Sequence, residues 1–188
     1  MIFDKELDFE NAVIQRLVDA GWVNHLTNQP EILRYKTEKN LIQNWADILY
    51  ENNNTIDRLN GKHLTSGEME QILEQVKSLR TPVNLNGFIN GKVVTIKRDN
   101  PDDKAHFGKE INLKIYDRQE IAGGQSRYQI AQQPVFPAKN KLLNSRRGDF
   151  MLLINGMPVI HVELKKSGIP VSQACYQIEK YSHEGVFT

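Results

Sequence analysis

A single cysteine, Cys175, leaves this 188-residue chain no internal disulfide to form. A fold that does without covalent staples fits a reducing cytoplasm. No apolar run approaches the roughly 20 residues that a membrane-spanning helix needs. The acidic opening, with Asp4, Glu6 and Asp8, is unlike a secretory signal. Cysteine and histidine pairs at zinc-ligand spacing are missing. Gly61-Lys62, Gly91-Lys92 and Gly108-Lys109 lack both the preceding glycine and the following hydroxyl of a phosphate-binding P-loop. Internal repeats and linker-like stretches are absent as well. A disulfide scaffold, a membrane span, a zinc module and a P-loop ATPase within these residues are thereby set aside.

What is present is the composition of an ordinary globular protein, 39% apolar and 25% charged, enough for one domain with a proper core. The net charge of +1 conceals an asymmetry. Residues 1–80 hold 9 Lys/Arg against 13 Asp/Glu, whereas residues 81–188 hold 15 against 10. So small a difference is readily compositional. A modest positive field also suits a surface that approaches a phosphate backbone.

Periodicity predicts helices first. Phe9, Ala12, Val13, Leu17 and Ala20 recur at helical spacing, with Asp8 as a cap and Gly21 as a stop. A second helix is expected over residues 39–59, with Leu41, Ile42, Trp45, Ile48 and Leu49 on one face. A third should start at Thr65, where Thr65-Ser66-Gly67-Glu68 has capping-box spacing. After Pro82 the texture changes. Strands are expected at residues 93–96, after the turn signal Asn90-Gly91, and through Ile111, Leu113 and Ile115. Another is expected over residues 128–135, after Gly123-Gly124. A basic loop spans residues 137–147. Strands at residues 149–154 and 159–165 follow, and a helix should run from about Pro170 to about His183. The expectation is one α/β domain, with residues 1–80 mostly helical and residues 81–188 holding the sheet and the chemistry.

The chemistry concentrates between Gly148 and Lys165. An apolar strand ending in Glu163-Leu164-Lys165 is unusual, because ionised groups in a sheet are costly unless paired or bound to an ion. Alternation puts Glu163 and Lys165 on one face, and Ile160, Val162 and Leu164 on the other. An ordinary surface Glu–Lys pair is the plainer reading of Glu-x-Lys alone. Asp149, one hairpin earlier, changes that reading. Asp149 and Glu163 could hold Mg²⁺ through hard oxygen ligands, with the Leu164 carbonyl as a third. Such an ion polarises a phosphoryl oxygen and activates water. Lys165 would orient that water or offset charge in the transition state.

Register decides whether the two carboxylates meet. A regular hairpin around Asn155-Gly156 pairs Ile154 with Met157 and sets Asp149 opposite Val162, on the wrong face. The site therefore requires an odd-length connection or a bulge, expected near Met157–Pro158.

The run from Arg146 to Lys165, followed by Gln177-Ile178-Glu179-Lys180-Tyr181, resembles the R subunits of type I restriction enzymes. Phe9-Glu10-Asn11 through Leu17 to Gly21-Trp22 resembles the start of such subunits. The most specific part is the combined spacing of Asp149, Glu163-Leu164-Lys165 and Gln177/Tyr181. Gly148 departs from the motif name PD-(D/E)XK, which has proline there. A change in loop stiffness, without effect on metal binding, is expected from it.

The resemblance implies a restriction-endonuclease-like core, a mixed sheet flanked by helices with a helical N-terminal part. It implies a Mg²⁺-dependent endonuclease acting on double-stranded DNA, with Asp149, Glu163 and Lys165 as the catalytic set. Gln177 and Tyr181, on one helix face, and Glu10 from the first helix are implied as supporting residues. Glu10 also fits as a first-turn acid favoured by the helix dipole. His161 shares the face of Glu163 and reads as a buried histidine satisfied by a neighbour. Specificity and methyltransferase subunits are the implied partners, and an ATP-driven motor is expected beyond residue 188. Two other readings stay open: an inert nuclease-like module that binds DNA or docks subunits, and another PD-(D/E)XK nuclease.

Overall fold

Ile130 and Ala131 are neighbours in sequence, so on a strand they face opposite ways, yet both are fully buried. A strand buried on both faces must lie inside a layered α/β structure. A computed structural model describes residues 5–23, 32–79, 81, 83–84, 88, 93–116, 126–136 and 146–183, the side chains of 146 and 181–183 excepted. In chain order the elements are α1 (Glu6–Asp19), β1 (Ile32–Arg34), α2 (Glu38–Asn53), a 3-10 turn (Asp57–Leu59), α3 (Ser66–Lys77), β2 (Val93–Lys97) and β3 (Glu110–Lys114). Then follow β4 (Tyr128–Gln132), β5 (Val135–Phe136), β6 (Arg146–Arg147), β7 (Phe150–Ile154), β8 (Met157–Val162) and α4 (Val171–His183). They form two units, Met1–Leu41 with Arg127–Thr188, and Ile42–Ser126.

The first unit holds a mixed four-stranded sheet in the order β1-β4-β7-β8. β1 runs parallel to β4, and the β4–β7 and β7–β8 pairs are antiparallel. On one face Ile130, Phe150 and Leu152 pack with Ile14 and Val23, joined by Val13, Leu17 and Val18 of α1. On the other face Ala131, Met151 and Leu153 pack with Leu33, Phe136 and Leu41 from the first turn of α2. Helices thus flank a mixed sheet, consistent with the restriction-endonuclease-like expectation. Each fully buried aliphatic side chain here contributes about 1.5–3 kcal/mol.

α1 begins earlier than expected. Lys5 stands at its N-cap without a side-chain cap, and Asp8 shares the first turn with Glu6, where the helix dipole favours acids. Its end is as expected: Gly21 takes φ +82° and Trp22 N–H reaches back to Leu17 O at 2.9 Å.

The β7–β8 hairpin resolves the register question. Asn155 (φ +50°) and Gly156 (φ +83°) form a two-residue turn of the kind that matches strand twist. Ile154 pairs with Met157 and Leu153 with Pro158, but Leu152 pairs with Ile160, leaving Val159 as an extra residue. Met151 then faces His161, and Phe150 faces Val162. The bulge comes one residue later than expected, in an otherwise tight hairpin. The expected face of Ile160, Val162 and Leu164 is kept: Ile160 pairs with Leu152 and Val162 with Phe150, Val162 and Leu164 pack on the core together with the bulged Val159, and Ile160 is exposed on the edge strand. β8 stops at Val162 instead of reaching Lys165, since the Leu164 N–H donates to the Asp149 carboxylate rather than to a strand partner.

The strand expected over residues 128–135 is broken in two. Gln133 adopts φ +49° ahead of Pro134, and its N–H donates to Asp149 O at 2.7 Å. Arg146–Arg147, expected in the basic loop, pair with Val135 and Phe136. Residues 137–145 of that loop, Asn90-Gly91 and Gly123-Gly124 lie outside the described residues.

In the second unit the helix expected over 39–59 ends at Asn53. The Asn53 side chain accepts from Lys114 N (2.9 Å) and donates to Lys114 O (3.0 Å), tying the helix end to β3. The Thr65 capping box forms as expected: Thr65 Oγ1 accepts Glu68 N–H at 3.1 Å and Glu68 Oε2 accepts Thr65 N–H at 3.0 Å. Val94, Ile96, Ile111 and Leu113 make the buried face of the β2–β3 hairpin. Gln71 and Gln75 of α3 bond the main chain of Thr95 and Lys97, so side-chain amides occupy part of β2's open edge.

Candidate functional site

The bulge at Val159 carries the pairing one step past Phe150–Val162, so that Asp149 and Glu163 come next along adjacent strands. Their proximity is visible in the electrostatics. Burial pushes the Asp149 pKa up, from 3.8 to about 6; the Leu164 N–H opposes it, the Glu163 and Glu10 charges add to it, and Lys165 opposes it. The charges of Glu163, Glu10 and Lys165 therefore all bear on Asp149.

Glu163 is held on both oxygens. Its side chain is fully buried; His161 Nε2 lies 2.9 Å from Oε1, and Gln177 Nε2 of α4 donates to Oε2 at 2.8 Å. Gln177 thus reaches the site through Glu163. Tyr181 occupies the next turn of α4, and its side chain lies outside the described residues. Lys165 is half-buried just past β8.

Glu10 is buried on α1, where Gln132 Nε2 donates to Oε1 at 2.8 Å and Gln133 Nε2 to Oε2 at 3.2 Å. Arg34 Nε in turn donates to Gln132 Oε1 at 2.9 Å. Charge-assisted bonds from two amides fix the position of this acid. The dipole account of Glu10 is incomplete, because its carboxylate is engaged by the sheet.

Gly148 requires a correction. Its backbone does not take a left-handed φ, so it is needed for space rather than flexibility. A Cβ at 148 would stand 2.8 Å from His161 Cε1 and 3.5 Å from Glu163 Oε1. A side chain at 148 would thus crowd His161 and come into contact with Glu163, which the expectation of loop stiffness alone did not include. The sequence reading also missed Gln132 and Gln133 as partners of Glu10, and the Leu164 N–H as partner of Asp149. The adjacent polar pair Gln132-Gln133 before Pro134 was the one available signal.

The donor set suits a hard divalent cation. Two carboxylates sit among mutually repelling charges that a cation would relieve, and both offer oxygen. Among the described residues no three His, Cys, Asp or Glu side chains form a cage able to hold an ion alone. An ion here would keep water in its remaining positions, as Mg²⁺ commonly does.

The raised Asp149 pKa has a measurable consequence. A carboxyl whose folded pKa exceeds its unfolded value stabilises fully below the unfolded pKa and loses that contribution as pH rises through about 6. Ionised Asp149 therefore strains the metal-free protein at neutral pH. Asp149→Asn is expected to raise unfolding stability there by about 1–2 kcal/mol, after discounting for partial solvent exposure. Thermal unfolding in chelator at pH 7.5 and pH 3.5 checks this: the gain should be present at the first and absent at the second.

Comparisons with known proteins accord with this arrangement. A family model described as type I restriction enzyme R protein N terminus matches residues 4–187. The type I restriction enzyme SsaAORF53P endonuclease subunit of Staphylococcus saprophyticus is 27% identical over 190 residues, covering 100% of this chain and 18% of that protein. The SauCOLORF180P endonuclease subunit of Staphylococcus aureus is 26% identical over 194 residues, again 100% of this chain and 18% of that one. The EcoprrI endonuclease subunit of Escherichia coli is 31% identical over 97 residues, 49% of this chain and 29% of the relative. The chain spans under a fifth of the length of the two staphylococcal relatives.

Proposed function

Because the chain belongs to the family of type I restriction enzyme R protein N termini, we propose that it is the nuclease region of such a subunit and hydrolyses DNA phosphodiesters with Mg²⁺. The observation that carries the reading is the bulged register that brings Asp149 alongside Glu163. Asp149, Glu163 and the Leu164 carbonyl would hold the ion, which would polarise the phosphoryl group and activate water. Gln177 keeps the Glu163 carboxylate oriented, and the Leu164 N–H does the same for Asp149. Lys165 orients the attacking water and offsets negative charge as it accumulates on the phosphate. Glu10 adds a third negative charge that favours cation entry, and Tyr181, one helical turn beyond Gln177 on α4, is a further supporting residue.

In the complete enzyme, cleavage of double-stranded DNA follows ATP-driven translocation by another part of the subunit, within a cytoplasmic complex containing specificity and methyltransferase subunits. No helix among the described residues is long and apolar enough to cross a membrane. Chelating divalent cations should stop cleavage, and Mg²⁺ should restore it. DNA retained by the complete enzyme but never cut, at any Mg²⁺ concentration, would leave only an inert DNA-binding module.

A surface beside the site suits the DNA backbone. Arg147, exposed on β6, lies over the exposed Tyr35 ring at 5.5 Å, and its guanidinium reaches Gln133 Oε1 at 3.4 Å. Arg147→Glu is expected to weaken DNA retention and flatten its dependence on log salt by about one unit, as for one lost phosphate contact. An unchanged slope in a filter-binding titration would remove Arg147 from the interface.

A further inference from the structure

His161 is not among the residues that the site's chemistry requires, yet it makes one of the two side-chain contacts to the buried carboxylate of Glu163. Its imidazole is 15% exposed, and Nε2 stands 2.9 Å from Oε1 of a Glu163 side chain with no exposure. Strand alternation brings it there, since the two residues are two apart, and the bulge sets the pair against β7. His161 pairs with Met151, and both face the side of the sheet on which Asp149 and Glu163 lie. Opposite the ring is the one residue type with no side chain. A Cβ on Gly148 would come within 2.8 Å of His161 Cε1, a separation that real Cβ atoms essentially never show.

We infer that His161 is a positioning residue for the metal-binding carboxylate of Glu163, and that Gly148 is glycine because it makes the seat for that imidazole. This rests on the nuclease reading above. The physical case is one of preorganisation. A carboxylate carried past the end of a strand can swing about its side-chain torsions, and a swung carboxylate binds a cation poorly. His161 and Gln177 bond one oxygen each, which fixes the plane of the group while leaving a further lone pair on each oxygen for an ion. Proline at position 148, which the motif name would place there, conflicts twice: its ring enters the space of the imidazole, and it removes the N–H that Gly148 donates to Pro134 O at 3.2 Å. Histidine at 161 and glycine at 148 therefore form one device.

The test reads Mn²⁺ binding to the complete subunit without nucleotide by calorimetry, as the difference from Asp149→Ala, together with thermal unfolding; the Mg²⁺ concentration for half-maximal DNA cleavage is read in the complete enzyme supplied with ATP. His161→Leu should weaken binding and raise the Mg²⁺ requirement by about 10- to 100-fold, the usual scale for a partner that orients a ligand. His161→Gln, which keeps a donor of similar reach, should recover most of the loss. Gly148→Ala should reproduce the His161→Leu defect, and the two together should be no worse than either alone, since both remove one contact. Additive losses, a glutamine no better than leucine, or Mn²⁺ binding unchanged in His161→Leu would overturn the inference. A cleavage loss that only follows lowered thermal stability would overturn it too. If Asp149→Ala and Glu163→Ala also leave cleavage and Mn²⁺ binding unchanged, the nuclease reading itself fails; if they abolish both, only the role of His161 falls.

Discussion

Alanine in place of Asp149, Glu163 or Lys165 in the complete enzyme is expected to lower DNA cleavage by at least about 10³-fold while ATP hydrolysis continues. The size follows from what each group does. A cation at the scissile phosphate supplies several kcal/mol of transition-state stabilisation, and about 1.4 kcal/mol is tenfold in rate. Losing either carboxylate loses the ion or misplaces it. On the proposed reading, losing Lys165 removes an ammonium that offsets charge in the transition state. Because the three work as a unit, the triple variant should be hardly worse than the worst single one. Glu163→Gln is the informative conservative change: it retains shape and one accepting oxygen, but puts an NH₂ that cannot accept where the other oxygen stood and removes the charge that a cation needs. DNA retention should survive in every case. ATPase loss with cleavage intact, in any of these variants, would overturn the assignment.

The charged trio stood out in the sequence because ionised residues at the ends of apolar strands violate the expected pattern, and such violations point to function. The helix signals at Gly21 and Thr65 were legible for a local reason: a left-handed stop and a capping box involve residues within a few positions of one another. The hairpin was legible only in part. Counting residues showed that a regular hairpin would misplace Asp149, and so demanded an irregularity. Which residue became the bulge depended on how Val159 packs against the α1 side of the sheet, a tertiary matter. The partners of Glu10 were hidden for the same reason, since Gln132 is 122 positions away. Gly148 shows the limit most plainly. The absent side chain was noticed, but its meaning lay in a histidine on the neighbouring strand that only the fold brings close.

Arg98→Met is expected to destabilise the chain by about 3–5 kcal/mol, the cost of breaking a buried ion pair from one side. Arg98 is among the largest side chains with almost no exposure. Its Nη1 lies 2.9 Å from Glu68 Oε2, its Nη2 3.8 Å from Asp103 Oδ2, and Nη2 also reaches Leu59 O at 3.4 Å. Glu68 is at the same time the second half of the α3 capping box and the acceptor for Asp99 N–H at 3.0 Å. Asp103 is further bonded by Asn60 Nδ2 at 3.0 Å and His106 Nδ1 at 3.0 Å. Removing only the guanidinium therefore leaves two carboxylates buried without their cation, anchored by bonds that prevent them from turning to solvent. The magnitude comes from this stranding, not from the net worth of the bridge, because desolvation offsets most of the attraction between such charges. Chemical denaturation can separate the two accounts. Under stranding, Arg98→Met/Asp103→Asn should be more stable than Arg98→Met alone, and the gap to the parent should narrow in acid, where the remaining carboxylates take up protons. A double variant less stable than the single one would show that the guanidinium contributes chiefly through packing and its bond to Leu59.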